Sequence, residues 1–150
     1  MSERLNFGEA FPEGFKGVLG LEKAVAAGPL PHSLINLVKL RASGINGCAY
    51  CLNMHAHEAR AAGETNRRID VLRAWREVDG LYTDAERAAL ALTEAITLIS
   101  EDGVPDDVWD AVRAQFDERE TATLIAAIAA INVWNRLAIS THQQPEPEPA

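Results

Sequence analysis

Cysteine is nearly absent from this chain: 150 residues contain two, Cys48 and Cys51. Basic charge is also short, with 14 Lys and Arg against 22 Asp and Glu, a formal net charge of -8. No run of basic residues compensates locally, so a polyanion such as nucleic acid is excluded as a natural partner; its affinity would come from neutralised phosphates. No apolar stretch follows Arg4, and no signal peptide is expected. The longest apolar block, Leu124 to Ile131, falls short of the roughly 20 residues a membrane helix needs. No segment alternates with period two and no repeat stands out, which removes strands and repeat architectures. These absences leave a soluble, cytoplasmic, all-α protein as the expectation. In that setting two cysteines in CxxC spacing read as redox-active or metal-binding, and not as a structural staple.

The chain is long enough for one domain with a real core, and 47% of it is apolar. Helical periodicity with start and stop signals runs nearly throughout. A short helix is expected over Leu21 to Ala27. Pro31 opens a second, whose buried face is Leu34, Ile35, Leu37, Val38 and Leu40, and Gly44 to Gly47 breaks it. A CxxC helix runs from about Cys48 to Ala62, and a further one follows the cap Thr65 through Trp75. Thr83 to Glu86 forms a capping box before a helix reaching about Ser100. Pro105 starts another through Phe116. Asp117 to Glu120 caps the last, running to about Ser140. Residues 1–142 are thus read as one domain, and 143–150, with alternating prolines, as a disordered tail. Trp75, Trp109 and Trp134 are core candidates. The last helix is apolar on almost every face from Ala122 to Trp134, so it is either central to the fold or shared between subunits; its alanines permit close helix approach, and a monomer of 150 residues would struggle to cover it on all sides, which favours oligomerisation.

Cys48, Cys51 and His55 carry the chemistry. On a helix at roughly 100° per residue they fall within about 60° of one another, with His57 on the opposite side. A free thiol is only about 3% ionised at neutral pH, and making it half ionised takes about 2 kcal/mol. A helix N-terminus at Cys48 and a histidine one turn beyond Cys51 could each contribute. The specific base outweighs the diffuse dipole, which favours Cys51 as the reactive sulfur and Cys48 as its resolving partner. Competing readings are a buried structural pair and a zinc site, the latter with three ligands and no fourth nearby. Covalent haem would need a histidine directly after Cys51, where Leu52 stands. Glu58 shares the face of His55 and could orient its ring, and Tyr50 is a candidate pocket residue. No metal and no other cofactor is called for.

These residues carry a resemblance. Leu37-Val38-Lys39-Leu40-Arg41-Ala42-Ser43, then Ile45-Asn46-Gly47-Cys48-Ala49-Tyr50-Cys51 and Met54-His55, resemble the core of the AhpD-like alkylhydroperoxidases of the carboxymuconolactone decarboxylase superfamily. The likeness continues through Gly63-Glu64-Thr65, Ala74-Trp75-Arg76-Glu77, Glu86 to Ala91 and Ile131 to Arg136. It implies a compact helical fold of about six to seven helices, with the CxxC at the start of a central helix. It implies a homo-oligomer, trimer or hexamer, and a dithiol that reduces hydroperoxides and is reset by an external dithiol or disulfide reductant. Cys51 resembles the peroxide-reacting cysteine, Cys48 the resolving one and His55 the relay histidine. The family usually has a glutamate twelve residues before the first cysteine; here that place is Asn36, which cannot exchange a proton. A disulfide reductase or redox carrier with little peroxidase activity is therefore the second reading. A non-redox decarboxylase or lactone enzyme and an oxidation-sensing binding protein are the remaining ones.

Overall fold

The computed structural model describes residues 2–145. Among them are nine α-helices, one 3-10 helix and no strand. In chain order the helices are α1 (Phe7–Ala10), α2 (Pro12–Ala26), α3 (His32–Asn46), α4 (Ala49–Ala61) and α5 (Asn66–Asp70). The 3-10 helix (Leu72–Glu77) follows, then α6 (Asp84–Thr97), α7 (Ile99–Asp102), α8 (Asp106–Gln115) and α9 (Glu118–Thr141). The six long ones, α2, α3, α4, α6, α8 and α9, bear out the expected number. Of the tail expected at 143–150, residues 146–150 lie outside those described.

The helix at α9 is 24 residues long, or about 36 Å at 1.5 Å per residue. Asp117 starts it with a capping box closed by Glu120, as Thr83 and Glu86 start α6. By length and composition α9 could cross a membrane, but α2, α3, α4, α6 and α8 all pack on it, making it the central helix of the fold. Leu124, Ala127, Ile128, Ala130 and Ile131 are buried on its inward side. Val38, Ala89, Leu92 and Val112 meet Leu124, Ala127 and Ile128 in the largest core cluster, while Ile131 packs beside the cysteines. A second cluster gathers Leu37, Leu72, Trp75, Tyr82 and Leu90. Beside it, Glu94 accepts from Arg41 Nε and Trp75 Nε1, both at 2.8 Å, and from Arg76. Burial pushes its carboxyl up, but those hydrogen bonds more than offset this and hold it below the ordinary carboxylate range.

Several boundaries depart from the sequence expectation, each for a tertiary reason. The helix expected at Leu21 starts at Pro12 instead. Gly14, Gly17 and Gly20 lower its propensity, and packing on α9 overrides that, with Phe15 set edge-on to Trp134 at 5.4 Å. The segment after Thr65 divides into α5 and the 3-10 helix, with non-helical backbone at Ala74. The helix expected to reach Ser100 bends at Leu98, where α7 begins. Trp109 is 41% exposed and not core, because Val112 takes the inward face of α8.

The α3–α4 junction is the departure that bears on function. Gly44 does not break α3; the helix continues to Asn46 and stops only at Gly47, which takes the left-handed conformation (φ 70°). Asn46 Nδ2 donates to Oδ1 of both Asn132 and Asn135 on α9, at 2.9 Å each, and this anchors the last turn. The Gly47 and Cys48 N–H groups both donate to the Ser43 carbonyl, so α4 begins with no connecting loop.

The two glycines should therefore respond with opposite sign. Gly47→Ala should destabilise by about 1 kcal/mol, since an L side chain is strained at positive φ. Gly44→Ala, with nothing within 4 Å of the added methyl, should stabilise by about 0.5–1 kcal/mol by relieving glycine's entropy cost. Paired urea denaturation curves decide it; equal shifts would show that the helix ends at Gly44 in solution.

Candidate active site

Cys48 is the N-cap of α4, and its sulfur accepts from the Cys51 N–H at 3.3 Å. This local geometry follows from the sharp stop at Gly47, which leaves Cys48 extended (φ -84°, ψ 97°) and starts the helix at the next residue. The two cysteines are joined as a disulfide with Cα atoms 5.4 Å apart. Both are buried, with 1% exposure each, among Ala42, Ile131 and Ala138. Both sulfurs thus sit within the first turn of α4, where the helix dipole favours a thiolate once the bond is reduced.

The dithiol is not symmetric. Cys51 lines a cavity of about 300 Å³, and Cys48 does not. Phe15 and Leu19 of α2, Tyr50 and Met54 of α4, and Trp134 and Ala138 of α9 form its apolar walls. His55 opens onto the same cavity from one turn beyond Cys51 and is 4% exposed. Its Nδ1 pairs with Glu58 Oε2 at 2.8 Å, which leaves Nε2 as the ring nitrogen free for exchange. Burial lowers the His55 pKa below the ordinary 6.5, and the nearby Lys39 charge lowers it further, against the raising effect of Glu58. His55 is therefore neutral at pH 7 and able to accept a proton.

Every residue singled out from sequence can now be placed. Cys51, His55, Tyr50 and Glu58 share the cavity, Cys48 lies behind it, and His57 is exposed. Asn36 is outside that cavity; it lines an adjoining one, and Glu22, Lys39 and Glu58 line both. Among the described residues no cluster of His, Cys, Asp or Glu side chains converges as a metal site. Sequence reading missed Glu22 and Lys39, which form an ion pair at the cavity, and Phe15 and Trp134 as its walls. A signal for Lys39 existed: it lies one turn from Asn36 and interrupts the apolar run of α3. Glu22 lies on a remote helix and had none.

The buried imidazole has a consequence for stability. The unfolded chain binds a proton at this histidine near pH 6.5, whereas the folded chain resists it until a lower pH. Stability from this group is complete above pH 6.5 and is lost as pH falls from there through the lowered folded value. His55→Gln should therefore show a smaller drop in urea midpoint than the parent on going from about pH 7.5 to about pH 6. An unchanged drop would place the proton uptake elsewhere.

Comparison with known proteins bears on the family and the fold. The model of the carboxymuconolactone decarboxylase family matches residues 12–95, more than half of the chain. YdfG of Bacillus subtilis (strain 168), an uncharacterized protein, is 42% identical over 140 residues, covering 93% of this chain and 95% of YdfG. The crystal structure of ATU0492 from Agrobacterium tumefaciens superposes with a TM-score of 0.94 at 44% identity, covering 98% of this chain and all of that one. ATU0492 is a protein of unknown function proposed to be the antioxidant defence protein AhpD. The debrominase Bmp8 aligns with a TM-score of 0.80 at 25% identity, over 90% of this chain and 72% of that one. With its CxxC at the start of α4 and an AhpD-like helical fold, the chain belongs to the carboxymuconolactone decarboxylase family.

Proposed function

We propose that the protein is a thiol-dependent hydroperoxide reductase. One observation carries this reading: Cys51 and a neutral, buried His55 open onto one apolar cavity while Cys48 sits behind them within bonding reach. In the reduced protein His55 takes the Cys51 proton. The thiolate attacks the outer peroxide oxygen; an S–O bond forms, the O–O bond breaks, and the departing alkoxide takes the proton from His55 to leave as an alcohol. Cys48 then attacks the Cys51 sulfenic acid, forming the disulfide and releasing water. An external dithiol restores both thiols by exchange and is itself oxidised. The AhpD assignment proposed for ATU0492 supports the same chemistry.

At the place where the resemblance implies a glutamate, twelve residues before the first cysteine, this chain has Asn36. Glu58, hydrogen-bonded to Nδ1, takes over the orientation of His55. Because it is about half exposed, its influence is screened, and Glu58→Gln should slow peroxide-dependent oxidation by no more than about tenfold, against the 10²–10⁴ of a full acid–base partner. Asn36→Glu, adding a carboxylate in the cavity next door, should raise the rate. Cys51→Ser should abolish oxidation, and Cys48→Ser should leave a sulfenic acid that a dimedone-type reagent traps at Cys51. Stopped-flow oxidation with one organic hydroperoxide tests the set. Reaction persisting in Cys51→Ser and vanishing in Cys48→Ser would reverse the two sulfur roles.

The similarity to Bmp8 supports a second reading, reductive dehalogenation of a small aromatic in the same cavity. There the dithiol would supply two electrons, giving the disulfide, the dehalogenated ring and hydrogen halide. Bromide release from a bromopyrrole by the reduced protein, with no oxidation by hydroperoxide, would select it. Rapid exchange with protein disulfides and neither of those activities would select a redox carrier.

We also infer a homo-oligomer. Ala122, Ala129 and Val133 leave a stripe of the central helix exposed, and Ile139 is 42% exposed near its end. Covering that stripe is the favourable way to bury it. Light scattering should give a mass of three or six subunits; a monomer at micromolar concentration would overturn this.

A further inference from the structure

The cavity holds a pair of charges that the proton transfer to His55 does not use. Lys39 projects from α3 and pairs through Nζ with Oε1 of Glu22 on α2. The other Glu22 oxygen accepts from Trp134 Nε1 on α9 at 3.1 Å. Three helices therefore converge on the Glu22 carboxylate, and the side chain of Lys39 paired with it is only 13% exposed. A lysine surrounded in sequence by the buried Leu37, Val38 and Leu40 loses hydration that a single carboxylate does not fully replace. Glu22 occupies one of its three N–H donors, and Lys39 lines both the cavity that holds Cys51 and His55 and the adjoining one.

We propose that Lys39 is the cation that stabilises the Cys51 thiolate and the alkoxide that leaves when the peroxide O–O bond breaks. Cys51 and the departing oxygen are the two places where negative charge appears in the reaction, and both lie in the cavity that Lys39 lines. A fixed ammonium in a poorly hydrated site acts on such charge far more strongly than it would in water. The charged and titratable groups that share its two cavities are Glu22 on α2, His32 on its own helix α3, and Cys51, His55, Glu58 and Tyr50 on α4; α9 contributes the uncharged Trp134 and Ala138, and Gln143 lies just beyond it. Two carboxylates stand near, but Glu22 is tied to Trp134 and Glu58 to His55. Burial is the main reason the His55 pKa is lowered, and the field of Lys39 adds to it against Glu58 and Glu22.

The proposal rests on Cys51 being the reacting sulfur, but its test does not depend on the oxidant. In reduced protein carrying Cys48→Ser, the ultraviolet absorbance of the single thiolate is followed against pH. The midpoint belongs to the Cys51–His55 pair and is compared between variants. Lys39→Gln, which can still donate to Glu22, and Lys39→Met should each raise it by about one pH unit, a roughly tenfold smaller thiolate fraction near neutrality. Lys39→Arg should keep it within a few tenths of a unit. A tie between helices alone would leave the midpoint in place, so an unchanged value in either folded neutral variant overturns the proposal, as does an arginine variant that behaves like glutamine. Should the midpoint move as expected while hydroperoxide fails to oxidise the protein, the peroxide reading falls and the alkoxide role with it, while the role of Lys39 at the Cys51 thiolate stands.

Discussion

The dithiol depends on one buried side chain, Asn135 of the central helix. It is fully buried, donates through Nδ2 to Ser43 Oγ at 3.0 Å, and accepts from Asn46 Nδ2 at 2.9 Å. Those two partners flank the last turn of α3. The Ser43 carbonyl, in turn, receives the N–H groups of Gly47 and Cys48. A buried amide with all its partners in place is costly to disturb, because each orphaned group costs about 1–3 kcal/mol. The linkage therefore fixes where α3 ends, and with it the residue at which α4 starts. Cys48 is an N-cap only because that end point cannot slip by a residue.

From that fixed start the rest of the site follows by helical geometry. Cys51 falls in the first turn and His55 one turn further, and both reach the cavity that α2 and α9 close from the other side. The apolar walls serve the electrostatics as much as they serve binding. By desolvating His55 they keep its ring neutral, and by limiting water around Lys39 they leave its charge unscreened. A loop at the α3–α4 junction would have exposed the sulfurs to solvent. The direct turn keeps both cysteines at 1% exposure, with Cys51 lining the cavity.

Local chemistry made much of this legible in the sequence. The capping boxes at Thr83 and Asp117 appear where the side chains alone place them, since both partners of each box lie within one turn. The grouping of Cys51, His55 and Glu58 is likewise a matter of helical spacing, and the resemblance through Ile45 to His55 carried the family. Where local preference and packing disagreed, packing prevailed. Gly44 reads as a helix stop but is held helical by Asn46 bonding to α9, and the glycines of α2 are overridden by the contact of Phe15 with Trp134.

What the sequence by itself determined was the all-helical class, the family, and the spacing of the two cysteines and the histidine; that spacing rests on residues within two turns of one another. Tertiary structure decided which sulfur faces the cavity, because that depends on where α2 and α9 lie against α4. It also brought Glu22 to Lys39 and Trp134 to Glu22, across 17 and 112 residues of chain. No local pattern encodes those meetings. They exist because the central helix must be covered on several sides at once, and Glu22 and Lys39 ride on helices that cover it.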